Sequence, residues 1–186
     1  MILNLIILVA LVWALMVGYS RGLILQVIYS FGTIIAAFIA ASNYKELAQK
    51  LSIWVPFSNA TENSHLLLFS DKLLFQLDDA FYASISFLAI FIVVYAIIRL
   101  IGLFLHFALS PLGRNGKIIA GILGFAATYF GLQMVLMVLS LVPIAAVQSQ
   151  LDASFLARFM VLHTPISSGI LQNLFIENIV HINPLG

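Results

Sequence analysis

Eight Lys and Arg, seven Asp and Glu, and four His are all that this 186-residue chain offers for acid–base, metal or charge chemistry. The histidines His65, His106, His163 and His181 are scattered, and none stands four residues from another with a carboxylate beside it, as a zinc helix requires. Gly113-Arg114-Asn115-Gly116-Lys117 has a faint likeness to a phosphate loop. It lacks the first glycine, position 111 being proline, and Ile118 replaces the required Ser or Thr. Asp78 and Asp79 are adjacent, so on a helix their side chains diverge by about 100° and cannot share a metal or a proton. They suit the solvated start of a helix. With no cysteine there is no thiolate nucleophile, disulfide or Cys-based metal site. No catalytic, cofactor-binding or metal-ligating residue is therefore expected, and the chain reads as a non-enzyme.

Two arginines stand apart. Arg99 closes a long uncharged run, and Ser84, Tyr95, Gly102 and His106 fall near one helical stripe with it. Charge within a membrane is costly unless it serves something, which points to an ion or proton path. The simpler alternative has Arg99 snorkelling to the headgroups and His106 lying in the interface. Arg21, followed by Gly22, sits at a hairpin tip and is most simply a positive-inside anchor. Asn4, Gln26 and Gln133 are uncharged polar residues inside apolar runs, where interhelical hydrogen bonds are the expected role.

The elements that carry these residues follow from composition. The chain is 63% hydrophobic and 8% charged, against about 25% charged in a soluble domain. So few charges cannot coat a soluble fold of this size, which excludes an ordinary soluble enzyme and a disordered chain. A net charge of +1 offers no field for nucleic acid. The expected class is an all-α integral membrane protein in contact with the lipid bilayer. Four spans are predicted, at about 1–19, 23–42, 81–98 and 118–142. Met1–Tyr19 has no basic segment before it and is followed at once by a second span, so it reads as a helix rather than a cleaved signal. Pro111, Gly113 and Asn115-Gly116 break the chain before the fourth span.

Two regions are mixed. In 43–80, Leu47, Leu51 and Trp54 make one helical face ended by Pro56, and Leu66, Leu67, Phe69, Leu73, Leu74 and Leu77 make a second apolar set. Both suit short amphipathic helices at the lipid–water boundary, or packing back onto the bundle. Asn59-Ala60-Thr61 fits a glycosylation sequon, a common chance tripeptide. Residues 1–146 form the membrane domain and 147–186 a C-terminal amphipathic segment. There Leu151, Phe155, Leu156, Phe159 and Leu162 share a face stopped by Pro165. Gln172, Asn173, Glu177 and Asn178 argue against a fifth span.

Small residues recur at every fourth position: Ala10, Ala14 and Gly18 in the first span, Gly32, Ala36 and Ala40 in the second, Ala120 and Gly124 in the fourth. In lipid no hydrophobic force joins helices, so close backbone approach must do so. Such ridges serve packing within one bundle, or a seam between copies in a homo-oligomer. Arg21, Arg99, Arg114 and Lys117 crowd into the first and third loops, whereas Lys45, Lys50, Lys72, Arg158 and all seven acids lie elsewhere. Lys and Arg density places loops one and three in the cytoplasm and both termini outside.

Several short motifs together resemble the colicin V production protein (CvpA-like) family, particularly its Gram-positive branch. They are Gly18-Tyr19-Ser20-Arg21-Gly22 with Leu25-Gln26, Lys50-Leu51-Ser52-Ile53-Trp54-Val55-Pro56, and Leu77-Asp78-Asp79-Ala80-Phe81-Tyr82. Gly121-Ile122-Leu123-Gly124-Phe125, Leu141-Val142-Pro143-Ile144 and His163-Thr164-Pro165 extend the likeness over most of the chain. Many members carry a second Arg-Gly in the fourth span, where this chain has Tyr129-Phe130-Gly131. The resemblance implies a four-span protein of the bacterial cytoplasmic membrane associated with bacteriocin production. It brings no substrate, cofactor or catalytic residue. Three roles compete: a non-enzymatic component of export or envelope processes; a small oligomeric pore or transporter lined by Tyr95, Arg99 and His106; and a scaffold whose 43–80 loop and C-terminal tail recruit an unknown protein partner. No carboxylate falls firmly within a span, which counts against ion-coupled transport.

Overall fold

The computed structural model describes residues 2–56, 65–106, 114–181 and 183. Asn59-Ala60-Thr61, Pro111, Gly113 and the side chain of His106 lie outside the described residues. The fold is all-α. Helices α1 (Ile2–Arg21), α2 (Leu23–Trp54), α3 (Leu77–His106) and α4 (Arg114–Ser140) form the bundle, and each is long and apolar enough to cross a membrane. The 20 residues of α1 reach about 30 Å, the thickness of a hydrocarbon core.

Gly22 makes the turn between α1 and α2. Its φ of 87° is a conformation that a Cβ would strain, and α2 begins one residue later. α2 then runs unbroken to Trp54, so the face of Leu47, Leu51 and Trp54 continues the second span instead of forming a separate piece. Nothing between Ser42 and Trp54 breaks a helix; Val55, just before Pro56, is extended. Asn115-Gly116 likewise does not break the chain, because α4 already starts at Arg114. The first turn of a helix uses few of its own N–H groups, so Gly and Asn are tolerated there.

The four helices form two pairs. α1 lies along α4 and α2 along α3, and the pairs meet chiefly through α2 and α4. α1 and α2 touch little although they are consecutive. The α1–α4 contact is backbone to backbone. A Cβ on Gly18 would stand 2.5 Å from the Ala120 carbonyl oxygen, and one on Gly124 2.9 Å from that of Ala14. Between α2 and α3, a Cβ on Gly32 would meet Ile98 at 2.6 Å, and Ala36 and Ala40 are fully buried. Ala10 is half-buried at the edge of the α1–α4 pair.

The C-terminal segment is part of this core. α5 (Ala145–Asp152) follows the break at Pro143. The buried Gln148 donates from Nε2 to the Ser140 and Val142 carbonyls, at 3.0 and 2.9 Å, that the end of α4 leaves open. Its Oε1 accepts from the Leu67 N–H at 3.1 Å, tying down the 65–76 segment. Leu66, Leu68, Phe69 and Leu73 of that segment are buried, so it packs onto the bundle; Phe75 is exposed.

Next comes a bent arm. α6 (Phe155–Arg158) runs into a π-helical turn to His163, and α7 (Ser167–Gln172) into another ending at Glu177, with α8 (Asn178–Val180) last. The two limbs lie 75° apart and together have the length and apolarity of a fifth span. The arm enters and leaves at one end of the bundle. Asn4 Oδ1, near the start of α1, accepts from Ser154 Oγ at 2.5 Å and from the Leu156 N–H at 3.1 Å. Tyr44 Oη, on the same end, donates to the Leu174 carbonyl at 2.9 Å. The turn reaches the middle of α4, where Tyr129 Oη and Thr164 Oγ1 are 2.6 Å apart. Gln133 Nε2 donates to the Met160 carbonyl at 2.6 Å and its Oε1 accepts from Ser167 Oγ at 2.8 Å. Met160, Leu171, Phe175 and Ile176 are buried, Phe175 against Phe87 with centroids 5.1 Å apart. The arm is thus re-entrant, and its polar groups are satisfied by the bundle, as backbone at membrane depth demands.

Two outcomes test this packing. Gly18→Val should destabilise the protein by about 1–3 kcal/mol through overpacking, whereas Gly131→Ala, with nothing near the added Cβ, should gain about 0.5–1 kcal/mol. Thermal unfolding in detergent compares them. Gln133→Leu should cost about 1–3 kcal/mol by stranding the arm's buried polar partners, and should raise protease cleavage near residues 163–167.

Candidate functional site

The end of the bundle opposite the arm carries cations and no carboxylate. Arg21 is the last residue of α1, Tyr29 lies two turns into α2, and Tyr95, Arg99 and Gly102 follow at i, i+4 and i+7 on α3, hence on one face. Gly102 leaves room for the Tyr29 ring: a Cβ there would lie 2.3 Å from Tyr29 Cε1. Tyr29 is buried, and both arginines lie on its ring, with Arg21 Cζ at 5.3 Å and Arg99 Cζ at 5.0 Å from the centroid. Arg99 also lies 5.8 Å from the Tyr95 ring centre. Lys117, at the start of α4, sits 5.9 Å over Tyr19. Aromatic faces thus hold Arg21, Arg99 and Lys117, a substitute for carboxylates that is strongest where water is excluded.

No carboxylate balances them. Among the described residues the ion pairs Lys50–Glu46 and Arg158–Asp152 lie elsewhere, and no Asp or Glu occurs before position 46 or between 80 and 151. Two half-buried guanidinium groups on one ring repel each other and stand ready for an anion.

Cavities flank the pair on both sides. One of about 710 Å³ runs from Arg21 and Tyr29 along the outer face of α3, past Tyr95 and Arg99, with apolar walls including Phe91, Ile92 and Leu103. A second, about 260 Å³, lies between the helix pairs, bounded by Trp13, Arg21, Gln26, Tyr95, Arg99 and Thr128. Arg21, Tyr95 and Arg99 line both.

The structure therefore brings Arg21, Gly22, Tyr95 and Arg99 to one place. Ser84, in the same proposed stripe, is buried toward the other end of α3, where its hydroxyl donates to the Phe81 carbonyl at 2.8 Å. Arg99 lies against Tyr29 and Tyr95. Asn4 and Gln133 make the interhelical hydrogen bonds expected of them. Gln26 departs from that expectation: it is 3% exposed, and its Oε1 has no hydrogen-bond partner. Tyr29 was not singled out by sequence; its signal is the Leu25, Gln26 and Tyr29 spacing that follows Gly22 along one face of α2. Lys117 lies in a regular helix against Tyr19, and no three His, Asp or Glu side chains among the described residues cluster as a metal site would require.

Residues 3–165 match the family described as colicin V production protein. The chain belongs to this family. It is 32% identical over 177 residues to an uncharacterized transmembrane protein, YshB, of Bacillus subtilis (strain 168), covering 94% of this chain and 98% of that one. No solved structure matches. The protein is a multi-pass membrane member of the colicin V production protein family, and the basic end is its most distinctive described feature.

The energetic role of the stack is measurable. A double-mutant cycle between Tyr29→Leu and Arg99→Gln should give a coupling of about 0.5–2 kcal/mol in folding stability. Tyr29→Phe should retain it. A coupling indistinguishable from zero would show that the stack contributes nothing.

Proposed function

We propose that the protein is a non-enzymatic component of the bacterial cytoplasmic membrane that supports export or envelope processes, toxin production among them. It acts by binding at its basic end. The observation that carries this reading is the carboxylate-free pair Arg21 and Arg99, held on Tyr29 between two cavities. Such a site can hold an anion against apolar walls, and it has no nucleophile and base within reach of one another as group transfer would require. Membership of the colicin V production protein family supports the link to toxin production. Cytoplasmic placement of the first and third loops, with both termini outside, accords with the crowding of Arg21, Arg99 and Lys117 at one end.

A second reading, a small oligomeric pore, is favoured by one observation. The inner cavity runs from Arg99 to Thr128, next to Tyr129, which meets the re-entrant turn. Four spans make a narrow bundle, so a solute path would require several copies.

Deleting the gene in a bacteriocin-producing host should lower toxin output or tolerance of envelope stress, and a copy carrying Arg99→Gln should restore it poorly. If both phenotypes stay at the wild-type level on deletion, the first reading fails. Ion or solute flux in liposomes bearing the purified protein would instead favour the pore.

A further inference from the structure

The outer cavity is open to the lipid side. Ile92, Leu100 and Leu103 on its wall are 54%, 59% and 55% exposed, so its rim belongs to the apolar outer surface of α3. At its inner edge stand the two guanidinium groups without a carboxylate, and behind them the second cavity is lined by Gln26, whose buried Oε1 has no hydrogen-bond partner. Three independent requirements of a ligand follow. It carries negative charge, because two arginines on one ring have no carboxylate beside them. It carries a hydrocarbon chain, because a trench of about 710 Å³ with apolar walls faces lipid. It offers a hydrogen-bond donor, because the buried Gln26 Oε1 has nothing to accept from.

We propose that Arg21 and Arg99 bind the phosphate of an anionic, hydroxyl-bearing phospholipid that enters sideways along α3, with an acyl chain in the outer cavity and its headgroup directed toward Gln26. This deepens the reading of the basic end as a binding site and rests on it. Arginine suits the task, since its planar fork pairs two donors with two phosphate oxygens. Tyr29 and Tyr95 hold the forks in place before the lipid arrives, which lowers the ordering cost of binding. A glycerol headgroup satisfies the donor requirement, whereas a bare phosphate monoester in its dianionic form does not.

The test uses the full chain in nanodiscs of zwitterionic phosphatidylcholine doped with phosphatidylglycerol, phosphatidic acid or diacylglycerol, with bound lipid counted by native mass spectrometry. Wild-type protein should retain phosphatidylglycerol above the other two. Arg99→Gln and Arg21→Gln should each weaken retention about tenfold, the loss of one charge-assisted contact. Arg99→Lys, which keeps the charge without the fork, should weaken it less and guards against a misfolded Gln variant. Gln26→Leu should erase the preference for phosphatidylglycerol over phosphatidic acid. Equal retention by wild type and the arginine variants overturns the proposal, as does full displacement by inorganic phosphate, which would make this a soluble-anion site. Lipid retention together with a silent gene deletion would remove the cellular role and leave this site standing. A deletion phenotype without lipid retention would do the reverse.

Discussion

Everything in this molecule depends on how closely α1 and α4 approach. Lipid supplies no hydrophobic force between helices, so their attraction comes from dispersion and grows as the backbones close. Gly18 and Gly124 bring carbonyl oxygens to within what would be clash distance of a side chain. That contact fixes α4 relative to α1, and α4 carries Tyr129 and Gln133, the groups that receive the re-entrant arm. With the arm seated, Phe175 closes against Phe87 and the far end of the bundle is filled. Among the described residues nothing fills the basic end in the same way, and a crevice stands there.

The two ends solve the problem of polar groups at membrane depth differently. At the arm's end, amides are matched: Gln133, Gln148 and Gln172 each find carbonyl or hydroxyl partners. At the other end, cations rest on aromatic faces, which attract charge without neutralising it. At the matched end Ser86 Oγ is the one described buried side-chain oxygen left without a partner. At the unmatched end the described cations have no carboxylate beside them.

Much of this was legible in the residues. Long uncharged runs mark spans because a charge at that depth is so costly, and the small-residue ridges marked faces of close contact. Arg21, Tyr95 and Arg99 were visible as unusual residues near helix ends. Their convergence was not, since it depends on Tyr29, a residue from a third helix whose spacing after Gly22 marks a helical face but not what lies against it. The re-entrant arm was hidden for a different reason. Gln172, Asn173 and Glu177 look too polar for membrane depth, and two π-helical turns disturb the 3.6-residue period on which helix reading rests. Those polar groups find partners within the folded arm itself: Gln172 Nε2 donates to the Val161 carbonyl at 3.0 Å, and Asn173 Nδ2 donates to Glu177 at 2.8 Å.

The turn at Gly22 sends α1 and α2 into the membrane together, yet the two barely touch. The real partner of α1 is α4, and Ala120 is made about a hundred residues after Gly18. At roughly 5–20 residues per second, about 5–20 s separate the two during synthesis. Throughout that interval the small-residue groove of α1 faces acyl chains. Assembly of the bundle is therefore completed late, by α4 displacing lipid from a groove that α1 has kept open since the start of translation.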